Sequence, residues 1–209
     1  MGLSIAYSLK VQGKRVEAEA AMNRWRQKVE ERHPDIRLQP VTGECFGFVL
    51  RHLAGAEQAR FLLQLEDGVW VGSDSPKTQY ASLPTHGGTP HFIKAHLQII
   101  AVLDIGREMG VVVRVDDDGG YWEARDIKKL LECLRLNQAA VAQLFGMLKD
   151  AFGGDQVESP ITEHPDFERM EAQESALQAV TAWEPSRDVE QAERGVRPSH
   201  GQRFKRAAS

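Results

Sequence analysis

Between His91 and Met109 apolar side chains fall on nearly every side of a helical path (Phe92, Ile93, Leu97, Ile99, Ile100, Val102, Leu103, Ile105), and Gly110 parts this stretch from Val111-Val112-Val113-Arg114-Val115. A helix without a polar face has to be buried, and a run of β-branched residues packs best on a pleated surface. The stretch therefore predicts a core helix, a glycine stop and a central strand. The rest of the chain must supply what covers them.

Leu3, Ile5 and Tyr7 alternate with Ser4, Ala6 and Ser8, the period of a half-buried strand. Gly13 breaks it, and Arg15 to Glu31 follows with Val16, Ala20, Trp25 and Val29 near one face of a helix that Pro34 ends. Ile36 to Val41 and Phe46 to Leu50 predict two further strands, and Phe61 to Leu65 with Val69 to Gly72 a hairpin about Asp67-Gly68. A Ser-, Pro-, Thr- and Gly-rich loop of 18 residues runs from Ser73 to Pro90, long enough to call for a function. From Trp122 the pattern turns helical again through Ile127, Leu130, Leu131, Leu134, Val141, Leu144, Phe145 and Leu148, with Asn137 as the point where it would break. The order predicts an α+β fold for residues 1–152, a two-layer α/β sandwich in a ferredoxin-like arrangement with an added C-terminal helix.

Charge divides the chain at Gly153-Gly154. Up to Phe152 there are 19 acidic and 19 basic residues; Gly153 to Glu193 holds 11 acidic residues against Arg169 and Arg187, and Arg194 to Ser209 holds five basic residues and no acidic one. Blocks of this kind, with four prolines and few apolar residues, do not bury enough surface to offset chain entropy, so 153–209 is expected to be a largely disordered tail with a short amphipathic helix over 166–183.

Several classes drop out on composition. No stretch approaches the roughly 20 apolar residues of a membrane helix, the N-terminus lacks the order of a signal peptide, and Ala6 stands where a myristoylation signal needs Ser or Thr. The expectation is a cytoplasmic protein without a membrane partner. Cys45 and Cys133 stand far apart without a CxxC neighbour, which excludes a zinc knuckle and predicts two buried thiols.

The densest polar cluster is Asp116-Asp117-Asp118-Gly119-Gly120-Tyr121-Trp122-Glu123-Ala124-Arg125-Asp126, directly after the valine run. Strand alternation puts Asp116 and Asp118 on one face and Asp117 on the other, while Glu123 and Asp126 share a face of the following helix. Asp116, Asp118, Glu123 and Asp126 are thus candidate ligands for Mg²⁺ or Mn²⁺, both of which favour oxygen donors. The competing reading is turn chemistry at Asp-Gly-Gly and acidic capping of a helix N-terminus. His86, His91 and His96 recur every five residues, a step that turns a helical ligand by about 140°, so they do not chelate one metal; His96 reads as a satisfied core histidine or as a group facing the Asp116 end of the sheet. Lys77-Thr78-Gln79-Tyr80 lacks the glycines of a phosphate-binding loop, and no serine or cysteine stands in the setting of an activated nucleophile.

Gly2-Leu3-Ser4-Ile5-Ala6-Tyr7, Lys77-Thr78-Gln79-Tyr80-Ala81, the helix with His96, and Val115 to Asp126 together resemble a family of uncharacterised bacterial proteins with a KTQYA-like and a V-x-D-E-G-x-Y-W-E-x-x-D-like segment. The resemblance covers about residues 2–135, departs from the pattern within the Asp116-Asp117-Asp118 run, where the family has a Glu, and brings no established activity. It singles out Lys77, Tyr80, His96, Asp116, Tyr121, Trp122, Glu123 and Asp126.

Two functions follow as expectations. The first is a non-catalytic binding or regulatory module of a bacterial conflict, defence or secretion locus whose charged tail engages a protein partner, with Lys77, Tyr80, His96 and an exposed Tyr121-Trp122 pair as further binding residues. The second is a divalent-metal-dependent hydrolase or nuclease built on the Asp116–Asp126 carboxylates. Arg194 to Arg206, with Phe204, is the stretch suited to nucleic acid, set against an electrostatic tail that faces its own acidic block.

Overall fold

A computed structural model describes residues 3–51 and 53–152 together with His164, Asp166, Phe167 and Met170. The chain order is β1 (Ile5–Val11), α1 (Arg15–Arg32), β2 (Leu38–Val41), β3 (Phe46–Leu50), β4 (Arg60–Glu66), β5 (Val69–Asp74), two short 3-10 turns (Gln79–Ser82, Pro84–His86), α2 (Gly88–Glu108), β6 (Val112–Asp117), α3 (Tyr121–Ala124) and α4 (Ile127–Phe152). The strands form one sheet in the order β2-β3-β4-β5-β1-β6. All five pairings are antiparallel. The mixed α+β expectation holds at that level.

Alternation explains which face is covered. Ile5, Tyr7 and Leu9 of β1, Phe46, Phe48 and Leu50 of β3, and Phe61 and Leu63 of β4 point to one side, where α1 and α2 lie against them. Trp25 of α1 sits edge-on to Phe48 and Phe61, and its indole N–H donates to Val102 O of α2 at 2.9 Å, so the buried ring leaves no polar atom unpaired. Gly106 of α2 is the point of close approach: a Cβ there would lie 2.4 Å from the Trp25 ring. The β4–β5 hairpin turns at Asp67 (φ 48°) and Gly68 (φ 79°), the two positive φ values that a tight turn of this hand requires.

Four details depart from the sequence expectation. The valine run forms β6, an edge strand rather than a central one, and Val113 is 62% exposed at a shift in the β1–β6 register. A β-branched run reads as buried on both faces, but only the tertiary order of strands decides which one ends the sheet. Cys45 is exposed and Cys133 half-buried, not the expected buried thiols. The second amphipathic helix is parted at Arg125 (φ 53°) into α3 and α4, and α4 then runs unbroken through Asn137. The 18-residue loop is mostly structured, closing with the two 3-10 turns before α2. The Gly153-Gly154 boundary, the basic stretch Arg194 to Arg206 and most of the 166–183 helix lie outside the described residues; Phe167 and Met170 pack against Ala139 and Ala142 of α4. No helix among the described residues is long and apolar enough to cross a membrane.

Candidate functional site

The site is built where α2 passes the end of β6. His96 falls on the inward face of α2 with Phe92, Ile99 and Ile100, at the i−4, i+3 and i+4 positions that share a helix face. Asp117 follows Val115 at the two-residue step that returns a strand side chain to the covered face of the sheet. His96 Nε2 lies 3.3 Å from Asp117 Oδ2, and His96 Nδ1 lies 3.2 Å from Thr78 Oγ1. All three residues are buried, His96 and Thr78 with no exposed surface. Phe92 and Tyr121 place their rings beside the imidazole.

The Asp117 carboxylate is held by more than the histidine. Oδ1 accepts from Gly119 N at 2.8 Å and Oδ2 from Trp122 N at 2.9 Å. Burial pushes its pKa up, but the hydrogen bond and charge of His96 and the two backbone amides outweigh that cost and hold it below the usual carboxylate range. An ionised carboxylate only accepts, so Nε2 carries a hydrogen and donates to it, while Nδ1 shares a second hydrogen bond with the Thr78 hydroxyl. Hydroxyl, imidazole and carboxylate thus form one chain, with the composition of a proton relay but sealed from solvent at every member.

What the chain accomplishes is positional. Thr78 N donates to Leu3 O, Asp118 N donates to Ser4 O, and an isolated bridge joins Ser4 to Lys77. The first strand, the loop after β5, the middle of α2 and the turn after β6 therefore meet around His96. Gly119 has no room for a side chain, because a Cβ would lie 2.5 Å from Leu130 Cδ1 and 3.1 Å from His96 Cε1; Gly120 adopts φ 66°.

The residues singled out from sequence fare unequally. His96 and Tyr121 belong to the cluster. Trp122 is 6% exposed, not a free contact aromatic: it lies under the guanidinium groups of Arg125 (4.7 Å) and Arg107 (5.3 Å), and Arg125 is clamped to Asp104 at 2.7 and 2.8 Å. Burying the indole against the core gains more than leaving it in water. Lys77 enters through its backbone, whose amide donates to Glu57 Oε2 at 3.0 Å, while Tyr80 stands exposed nearby.

The four candidate metal ligands do not converge. Asp116 pairs with Arg114, Asp118 accepts from Ser4 N and Ser4 Oγ at 3.1 and 2.6 Å, Asp126 accepts from Lys128 N at 2.8 Å as the cap of α4, and Glu123 stands at the rim of a groove beside β6. Among the described residues no group of three or more His, Cys, Asp or Glu is arranged to hold a metal ion. Cap chemistry accounts for Asp126, Ser4 of the first strand holds Asp118, and the carboxylate that matters to the interior is Asp117, the one set apart from the ligand group by alternation. Thr78 was missed as well, since a threonine between Lys77 and Gln79 carries no local signal of burial.

A second feature is the outer face of the sheet. The register carries Gln64, Val71 and Lys10 across it in one row and Ser73, Ser8 and Arg114 in the next, with Cys45 and Leu62 beside them. No described element packs on these rows, and a shallow cleft of about 540 Å³ lies over them, rimmed by Arg60 and Lys10. No family model, curated protein or solved structure matches this chain.

Proposed function

We propose that this chain is a non-catalytic module that binds a protein partner through the outer face of its sheet. The observation that carries this reading is the contrast between the cleft over β4, β5 and β1, open and of mixed polarity, and a sealed acid–base chain that no substrate reaches. Antiparallel sheets tolerate one wet face, so openness alone is ordinary; here the face combines apolar Leu62 and Val71 with cationic Lys10 and Arg60, the mixture of an interface that is made and released. The His96 chain supports the role by bracing the strands from behind.

The test is affinity capture with the full chain from its native cells, comparing wild type, a Lys10→Glu/Arg60→Glu variant and a folded His96→Gln variant. The proposal expects a specific partner retained by His96→Gln and lost from the double variant. Equal capture by the double variant, or loss only on changing His96, overturns it.

A further inference from the structure

We propose that β6 is a self-association edge, on which a second copy of this chain adds its own β6 antiparallel across a two-fold axis at Val115. The two edges of the sheet differ. β2 is four residues long and carries Pro40, which has no amide to donate, whereas β6 is six residues long without a proline and is bonded to β1 alone. Asp118 N donates to Ser4 O, and the pairs Ala6–Asp116 and Ser8–Arg114 follow at two-residue steps, so the backbone groups of Arg114 and Asp116 face β1. Those of Val115, between them, face outward. An open groove of about 590 Å³ runs along this edge, lined by Arg107, Val112 to Val115, Trp122 and Glu123.

Charge selects both the partner and the register. Arg114 and Asp116 flank Val115 on the outer face, 75% and 63% exposed, with Nη2 and Oδ2 at 3.2 Å. Antiparallel pairing centred on Val115 sets Arg114 opposite the second copy's Asp116 and Asp116 opposite its Arg114, so the in-strand pair becomes an alternating square of four charges. Moving the axis by one residue toward either end sets Arg114 against Arg114 or Asp116 against Asp116, and like charges directly opposite destabilise a ladder. Of these three registers one is attractive and its neighbours are repulsive, so the edge recognises itself and resists slippage. A two-fold contact of this kind closes on itself, giving a dimer with one twelve-stranded sheet rather than a fibre. The proposal does not rest on the outer-face reading, since the axis lies at the sheet's edge.

The experiment is sedimentation velocity of the full chain over a range of concentrations, with Arg114→Asp, Asp116→Arg, the Arg114→Asp/Asp116→Arg swap, and an equimolar mixture of the two single variants. Wild type is expected to dimerise, and each single substitution to weaken the dimer by roughly tenfold or more, on cross-strand pair energetics. The swap, and the mixture as a heterodimer, are expected to restore it. Circular dichroism checks that these exposed substitutions leave the fold intact. A wild type that stays monomeric throughout, a dimer indifferent to both single substitutions, or failure of both swap and mixture to restore association overturns the proposal.

Discussion

Asp116 and Asp117 are neighbours on one strand, with the same side chain and opposite circumstances. The Asp117 carboxylate is fully buried and holds His96 and the amides of Gly119 and Trp122, whereas the Asp116 side chain is 63% exposed and reaches only Arg114. A buried carboxylate whose partners are removed is costly, while an exposed ion pair contributes little because water solvates both charges. One step along a strand thus separates a residue that holds the fold together from one available for contact.

The difference can be broken most severely at Asp117. Asp117→Ala is expected to cost about 3–5 kcal/mol, since it strands His96 and two backbone amides in the interior, and urea unfolding would read this as a lower midpoint at unchanged slope. A loss under about 1 kcal/mol would mean that the chain of bonds is dispensable. Next comes the turn that Asp117 holds. Gly120→Ala, at φ 66°, is expected to lose about 1–2 kcal/mol from forcing a Cβ into left-handed backbone. At the small end, Asp116→Asn is expected to change stability by no more than about 0.5 kcal/mol, its effect falling instead on association.

Acidity sharpens the same contrast. The folded pKa of Asp117 lies below its unfolded value, so its contribution is fully present above the unfolded pKa of about 3.9 and is lost as pH falls through the folded value. The stability gap between wild type and Asp117→Asn should therefore be constant near neutrality and shrink below about pH 4. Unfolding followed between pH 7 and pH 3 checks this; a gap that widens toward acid would show that the carboxylate is not the stabilising form.

Much of the fold was legible because its signals are local. Phe46–Leu50 was bounded correctly by its alternation, the β4–β5 hairpin by Asp67-Gly68, and the extent of α1 and α2 to within about three residues by apolar period, with proline and glycine closing them. The site was legible only in part. His96 on an inward helix face was readable as a satisfied core histidine, and Asp117 was readable as the carboxylate set apart from its neighbours, but their meeting depends on two elements joined by no local pattern. Trp122 was misjudged for a related reason: its burial comes from Arg107 on α2 and Arg125 after it, and the positive φ of Arg125 that ends α3 has no signature in an Arg codon's neighbours.

By itself the sequence determined where the elements lie, which faces are apolar, and that charge is segregated beyond residue 152, because propensity, periodicity and turn chemistry act between residues a few positions apart. Only the tertiary structure decided that the valine run is an edge strand, that Asp117 rather than Asp116 meets His96, and that the carboxylates disperse to separate partners. Tertiary packing joins residues far apart in the chain, as when Ser4 pairs with Asp118 and His96 with Asp117, and these distances in sequence carry no periodic trace for a local reading to follow.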